Sequence, residues 1–600
     1  MASQKSIAEL AEEWLALDQN PSTRRQIQDL LDKNNIAELE RRLRKRIQFG
    51  TAGLRARLQA GFSRMNDLTV LQASQGLAIY VAKTILDAKS KGIVIGHDHR
   101  HHSLEFAHLT ACAFIARGFR IYYYSELVHT PLVPYGVDMF GAACGVMITA
   151  SHNPAMDNGY KVYWTNGCQI IPPHDKGIAQ CIEENFEPWV WDKLIVNTSP
   201  LVMRPLQQVT DAYFADLNTL ADGLKINPQM RFVYTPMHGV GKVYALRASS
   251  LVGAVEDVNL FLVPEQAEPD PDFPTVEFPN PEEQGALALA LKTADSKGIS
   301  LVLATDPDAD RFSAAVKGAD GKWTQLTGNE LGILFAYFLY NTEKDKKSRP
   351  IAMLSSTASS QILRSFAETE GFYYEETLTG FKWIGNRAMH LASKGYNVLF
   401  GFEEAIGYMF KGLSNDKDGI AAFVMFIKLL CWIEDTISGV IMTRAQGILL
   451  CLEEIYSKYG YFEDKNSYYV VLDPAVTARI FNSIRRAVPA PADDPEKYTY
   501  PPMVGSRRVT YWRDLTLGYD SSTPDHKPLL PVSKSSEMIT AMLDDCVRLT
   551  VRGSGTEPKL KVYVEAKSTS RELSKKMANE VWDDLEREWF KPSETGLLGP

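Results

Sequence analysis

No Cys-x-x-Cys pair occurs in these 600 residues, and the seven cysteines, at positions 112, 144, 168, 181, 431, 451 and 546, are scattered and odd in number. That pattern excludes a disulfide framework and a cysteine-built zinc site, and it suits a reducing compartment. An excess of basic residues is also missing: 64 Lys and Arg stand against 73 Asp and Glu, for a net charge of -9. A nucleic-acid surface is therefore not the main business of the chain, although a local basic cleft for phosphorylated small molecules is compatible with acidic bulk. Long apolar runs are lacking too. The longest, Ala421 to Ile433, is broken by Lys428 and falls short of the ~20 residues that span a bilayer, so a core helix is expected there. The first residues carry no apolar stretch, and Glu9, Glu12 and Glu13 count against a transit peptide. A cytoplasmic protein that engages neither membrane nor nucleic acid is expected.

What is present is an ordinary globular composition, 45% hydrophobic and 23% charged, in a chain long enough for about four domains of ~150 residues. The central stretch is Gly145-Val-Met-Ile-Thr-Ala-Ser-His-Asn-Pro154. Val146 to Ile148 read as a buried strand and Asn153-Pro154 as a turn, which would deliver Ser151 and His152 to an exposed loop at the strand's C-terminal end. A serine hydroxyl is a weak nucleophile and needs a base, a cation or a metal beside it. Without such partners the tetrapeptide is only a polar turn, so the rest of the chain decides.

Residues 5 to 48 show helical spacing and Asn/Ser capping signals and read as a helical lead-in. Phe49-Gly-Thr-Ala-Gly-Leu-Arg55 follows, where glycines permit close backbone approach and Arg55 suits a phosphate, or where the chain merely turns. Helices over Val70 to Leu86 and Phe106 to Gly118 alternate with strands Gly92 to Ile95 and Arg120 to Tyr124. His97, His99, His101 and His102 lie in the intervening loop; their spacing is not that of zinc motifs, and a polar βα loop organised by Asp98 and Arg100 is the favoured reading. Gly239-x-Gly241-Lys242 only faintly echoes a nucleotide loop. Residues 265 to 283 are acidic and proline-rich, yet Phe273, Val276 and Phe278 favour an ordered loop.

The strand run Ile299 to Ala304 delivers Asp306-Pro-Asp-Ala-Asp-Arg311. If that loop is extended, Asp306, Asp308 and Asp310 share one side by period two. Three crowded carboxylates call for a cation, and hard oxygen ligands point to Mg2+. An EF-hand is excluded by Arg311 and Lys317. Further on, Lys382 lies in the loop Thr379-Gly380-Phe-Lys382, and Glu403-Glu404 ends the strand Asn397 to Phe402, as suits reading sugar hydroxyls. Pro489 to Pro495 reads as a linker. Arg552-Gly-Ser554-Gly555-Thr556 offers a guanidinium, hydroxyls and backbone N–H groups to one dianion.

Together, Thr149-Ala-Ser-His-Asn-Pro154, Asp306 to Arg311, Thr379 to Lys382, Phe402-Glu-Glu404 and Arg552 to Thr556 resemble the α-D-phosphohexomutases, in order and over nearly the whole chain. The resemblance implies four domains around a central cleft, three α/β domains with mixed sheets plus a smaller α+β C-terminal domain, with limits here at 1–204, 205–323, 324–458 and 459–600. It implies a phosphorylated Ser151 that gives its phosphoryl group to a sugar monophosphate and takes the other phosphate back from the bisphosphate. Mg2+, one per subunit, would be held by Ser151, Asp306, Asp308 and Asp310, with a sugar bisphosphate as activator. Lys382 would be the general acid/base, and His152 and Lys161 would support charge at the serine. Arg55 and Arg311 would hold phosphates or carboxylates. Arg552, Ser554, Gly555 and Thr556 would grip the idle phosphate, and Thr379, Gly380 and Glu403 would bind the sugar.

The family's glucomutases read Gly-Glu-Glu-Ser where this chain has Phe402-Glu-Glu-Ala405, and loss of that hydroxyl weakens strict glucose specificity. The Phe-Glu-Glu-Ala-Ile-Gly-Tyr form resembles the phosphopentomutase and glucose-1,6-bisphosphate synthase branch. The expected activity interconverts ribose or deoxyribose 1- and 5-phosphates, with glucose 1- and 6-phosphates as a second pair, in a monomer rather than an oligomer. Alternatives are a glucose-1,6-bisphosphate synthase using 1,3-bisphosphoglycerate, a strict phosphoglucomutase, an aspartyl-phosphate phosphatase with Asp306 as nucleophile, and a catalytically dead regulator.

Overall fold

The computed structural model describes residues 5–436, 444–489, 498–534, 536–554 and 558–599. They group into two compact units, residues 1–354 with 380–449, and residues 355–379 with 450–600. The chain passes between them three times, within the strand Ile351–Ser356, at the Thr379–Gly380 peptide and within the helix Arg444–Tyr459.

In the first unit the expected lead-in is three helices, Ile7–Leu17, Pro21–Asp32 and Ile36–Leu43, each opened by a side-chain cap from Ser6, Asn20 and Asn35 respectively. Their apolar faces close on Trp14, Ile27, Leu39 and Phe62. A six-stranded sheet follows, ordered Leu54–Arg57, Asp157–Tyr163, Cys144–Ile148, Ile93–His97, Ile121–Tyr123 and Val202–Met203. The last four strands run parallel and the first two pair antiparallel. Cys144–Ile148 is buried throughout, as a central strand covered on both faces must be, and it ends three residues before Ser151.

A five-stranded mixed sheet follows, ordered Trp323–Gln325, Phe312–Lys317, Leu301–Thr305, Phe232–Thr235 and Leu260–Leu262. Leu301–Thr305 is its buried centre and leads into Asp306. Residues 265–283 are an ordered loop with Phe273 buried, as the aromatic spacing suggested. The hairpin Asn397–Glu403 with Gly407–Phe410 packs on Gly328–Thr342, and the apolar run at 421–433 is a helix, Gly419–Thr436, with Ala421 to Ile427 all buried. Among the described residues no helix is long and apolar enough to cross a membrane.

The second unit is built on an antiparallel sheet ordered Tyr461–Val470, Lys559–Ser568, Val547–Gly553, Met538–Leu543, Arg507–Asp514 and Met503–Val504, with Tyr519–Asp520 added to Arg507–Asp514. The helices Pro474–Arg485 and Arg571–Leu585 share its core of Ile480, Val551, Val562 and Val581. Residues 490–495 of the expected linker lie outside the described residues, as do Gly555 and Thr556.

Candidate active site

Ser151 is held with φ +53°, a left-handed conformation uncommon for a side-chain-bearing residue. Its backbone N–H donates to Thr149 Oγ1 at 2.8 Å. Arg100 fixes the turn from behind: its guanidinium donates to the carbonyl oxygens of Ser151 (2.6 Å), Pro154 (2.9 Å), Asp157 (3.1 Å) and Asn153. Contrary to the expectation of an exposed loop, Ser151 is only 2% exposed, because these bonds draw the turn inward over the guanidinium. His152 Nδ1 stands 3.3 Å from Ser151 Oγ, and Arg55 Nη1 donates to Asn153 Oδ1 at 3.0 Å.

Ser151 Oγ donates to Asp306 Oδ2 at 2.7 Å. Asp306, Asp308 and Asp310 are fully buried, each offering a carboxylate oxygen within 4.8 Å of the others. They do not converge through an extended loop. Ala309 takes φ +53° and its N–H bonds Asp306 O at 2.9 Å, so a tight turn brings the carboxylates together. Asp308 accepts from Thr130 Oγ1 at 2.6 Å, and the Lys161 ammonium bridges Asp308 Oδ2 (2.7 Å) and Asp310 Oδ2 (2.8 Å). Lys161 therefore serves the carboxylates, not the serine directly. Burial and then the neighbouring Asp308 and Asp310 hold the Asp306 carboxyl well above its ordinary range. Burial also opposes ionisation of Asp308, but Lys161 overcomes it and leaves that carboxyl below its usual value. Asp308 Oδ1 and Asp310 Oδ1 are buried without a hydrogen-bond partner. Two orphaned carboxylate oxygens beside Asp306 and the Ser151 hydroxyl make an all-oxygen donor set, which fits a hard divalent cation.

Lys417 was not singled out from the sequence. Its ammonium lies 2.9 Å from Asp310 Oδ2 and 3.9 Å from Asp416 Oδ1. Burial would depress it, but Asp310 and Asp416 hold it above its ordinary value. The signal available was Asp416-Lys-Asp418 ahead of an apolar helix, with Asp418 Oδ1 capping Ile420 and Ala421. Thr130 had no comparable signal, being brought to Asp308 by the tertiary fold.

Contrary to the expected loop, Lys382 stands in the first turn of the helix Phe381–Ser393, because Gly380 caps that helix, and its Nζ donates to Thr51 Oγ1 just ahead of the strand Leu54–Arg57. Gly380 takes φ +107° and its N–H donates to Glu403 Oε1. Burial and then Glu404 raise the Glu403 carboxyl. Arg311 donates its backbone N–H to Asp306 Oδ1 at 3.0 Å; its Nη1 lies 3.7 Å from Glu282, and its buried Nε has no hydrogen-bond partner. In the second unit Arg552 Nη1 donates to Thr379 Oγ1 at 2.8 Å, and Ser554 N–H bonds Lys559 O at 2.9 Å.

The histidine loop is structural in its bonding. His97 Nδ1 meets Asp98 O at 3.0 Å, His99 stacks edge-on against Phe273, and His101 bonds Asp272 at 2.7 Å. Among the described residues only the aspartate triad groups metal-capable side chains. The glycines of 239–241 serve packing: a Cβ on Gly239 would stand 2.3 Å from Pro307 Cα.

Residues 46–188, 211–321 and 327–446 match the α/β/α domains I, II and III of phosphoglucomutase/phosphomannomutase, and 524–581 match its C-terminal domain. The phosphoribomutase of Saccharomyces cerevisiae is 48% identical over 618 residues, covering 98% of this chain and 96% of that protein. The human phosphopentomutase is 43% identical, covering 98% and 96%, and the human glucose 1,6-bisphosphate synthase 42%, covering 98% and 94%. Among solved structures, the open form of the Paramecium phosphoglucomutase parafusin has a TM-score of 0.63 at 17% identity, covering 90% of this chain and 95% of that one. A phosphoglucomutase/phosphomannomutase family protein of Burkholderia thailandensis has 0.62 at 15%, covering 90% and 97%. With all four domains matched in order, the chain belongs to the phosphoglucomutase/phosphomannomutase family.

Proposed function

We propose that this enzyme interconverts the 1- and 5-phosphates of ribose and deoxyribose, and the 1- and 6-phosphates of glucose, through a phosphoserine at Ser151 and a sugar bisphosphate. The observation that carries the reading is the 2.7 Å bond between Ser151 Oγ and Asp306, inside a carboxylate cluster with unmet oxygens. The substrate choice is supported by phosphoribomutase and phosphopentomutase relatives at 48% and 43% identity.

In the forward half-reaction the bond from phosphorus to Ser151 Oγ breaks as the sugar hydroxyl oxygen bonds phosphorus, and Lys382 takes the hydroxyl proton. In the return half-reaction the bisphosphate's other phosphoryl group passes to Ser151 Oγ, and Lys382 returns the proton to the sugar oxygen. Such transfers depend on positioning and charge stabilisation. Ser151, Asp306, Asp308 and Asp310 would hold Mg2+, which would neutralise charge on the phosphoryl group. Arg100 and Thr149 orient the serine turn, and His152 stands beside the hydroxyl. Lys161 and Lys417 orient the carboxylates. Arg55 and Arg311 serve phosphate, Thr379, Gly380 and Glu403 the sugar, and Arg552 and Ser554, with Gly555 and Thr556, the phosphate not being transferred. A sugar bisphosphate activator, a monomeric cytoplasmic enzyme and domain limits at 204, 323 and 458 complete the proposal.

The test is turnover of ribose 1-phosphate and glucose 1-phosphate side by side with bisphosphate supplied, together with mapping of the phosphorylated residue. A far higher kcat/KM on glucose 1-phosphate overturns the pentose preference. Phosphate on Asp306 with activity surviving in Ser151→Ala overturns the mutase reading.

A further inference from the structure

The turn Gln59–Met65 is pinned from within. Asn66, 4% exposed, donates from Nδ2 to the carbonyls of Gln59 (2.9 Å), Gly61 (3.0 Å) and Arg64 (3.3 Å). The turn is also pressed against the end of the third lead-in helix. A Cβ on Gly61, which has φ +126°, would stand 2.7 Å from Arg42 Cβ. Ser63 donates its N–H to Arg42 O and its hydroxyl to Arg41 O, both at 3.0 Å. On the other side Met65 N–H bonds Arg57 O at 3.1 Å. Four arginines, at 41, 42, 57 and 64, are thereby gathered on a rigid support.

Their counter-charge falls short. Among the described ion pairs only Glu38 serves them, bonding Arg41 and, at 2.6 Å, Arg42 Nε. Arg64 Nε bonds the neutral Gln59 Oε1 at 3.2 Å, and among the described residues no ion pair joins Arg57 or Arg64 to a carboxylate. Arg42 is 9% exposed and Arg64 half-buried, while Arg41 and Arg57 are exposed at the rim, so part of the charge is held out of water and part faces an incoming anion. Burial first, and then the neighbouring guanidiniums, depress both. Concentrating like charge in an otherwise acidic protein costs stability unless an anion offsets it. Guanidinium forks match phosphate oxygens two at a time.

We propose that Arg41, Arg42, Arg57 and Arg64 form a binding site for the phosphate group of a small metabolite, separate from the residues that hold substrate. The site has a route to the catalytic turn. Arg57 ends the strand that carries Arg55, and the next residue, Leu58, donates its N–H to Met156 O at 2.7 Å, beyond the serine.

Hydrogen-exchange mass spectrometry on the full-length enzyme tests this, with inorganic phosphate and glucose 1,6-bisphosphate as separate probes. Saturable protection is expected over residues 36–46 and 59–66 in the wild type and in Arg55→Ala, whose loss disturbs the catalytic site only. Arg57→Gln/Arg64→Gln should raise the half-saturating concentration about tenfold or more while basal turnover holds. Arg57→Lys/Arg64→Lys, which keeps the charge, should restore part of the affinity. Protection by phosphate alone identifies the free ion as ligand, and protection by the bisphosphate alone identifies a phosphorylated sugar. No protection with either probe, protection unchanged in the double glutamine variant, or protection lost in Arg55→Ala overturns the proposal.

Discussion

The buried guanidinium of Arg100 and the carbonyl oxygen of Ser151 lie 2.6 Å apart, Nη2 to O. The same side chain serves three other carbonyls of the turn, and Asp98 lies 3.5 Å from its Nε. Arg100→Leu strands those acceptors and leaves Asp98 buried beside no cation. The expected loss is about 3 kcal/mol or more of unfolding free energy, read from denaturant curves, together with a fall in kcat as the serine turn relaxes. Arg100→Lys keeps the charge without the fork and should fall between. An unchanged denaturation midpoint in the leucine variant would show that the turn holds itself.

Ser151→Ala removes both the proposed phosphoryl acceptor and the hydroxyl donated to Asp306. A loss of about 10^3-fold or more in kcat is expected, with no covalent label after incubation with bisphosphate. Chelation of divalent cations should abolish turnover of the wild type, and Mg2+ should restore it. Asp308→Asn should resist that restoration at any Mg2+ concentration that rescues the wild type. Recovery of the asparagine variant at wild-type Mg2+ levels would remove Asp308 from the ligand set.

Gly239 lies against the metal loop, where a Cβ would meet Pro307 Cα and its carbonyl oxygen, each at 2.3 Å, and Val240 N–H bonds that carbonyl at 2.8 Å. Gly239→Ala must therefore push the residue between Asp306 and Asp308. Overpacking of this kind costs about 1–3 kcal/mol. The Mg2+ concentration for half-maximal activity should rise in parallel with the loss of thermal stability. A loss of stability with unaltered Mg2+ dependence would confine the effect to packing.

The strands that aim the site were legible because burial on both faces leaves continuous apolar runs, as in Val146 to Ile148 and Leu301 to Ala304, and the loops that end them carry the chemistry. The geometry within those loops was not legible. Period two suggested an extended acidic loop, whereas a left-handed Ala309 closes it into a turn, a conformation that alanine does not advertise. Ser151 was expected at the surface and is buried, because the residue that draws it in, Arg100, is 51 positions away. Lys417 and Thr130 escaped for the same reason: their partners Asp310 and Asp308 are remote in sequence. Lys161 was found by sequence, but its partners were not.

Glu376 offers a test confined to the second unit. Its carboxylate takes Arg513 Nη2 at 3.1 Å, Arg364 at 3.2 Å and Arg548, and Thr357 Oγ1 joins the same cluster. Burial favours the neutral acid, but Arg548 and Arg513 outweigh it and hold the carboxyl well below its ordinary value. A folded-state pKa below the unfolded one gives stability that is complete above the unfolded value, near 4.5, and is lost only as pH falls through the lower folded value. Glu376→Gln leaves two buried guanidiniums short of a counter-charge, at a cost of about 3–5 kcal/mol. The stability gap between wild type and variant should thus be constant from about pH 5 to pH 8 and narrow only at more acid pH. Denaturant titrations of both proteins across that range decide it. A gap that instead widens toward acid pH would mean that Glu376 is protonated in the folded protein at neutrality and that the arginines do not govern it.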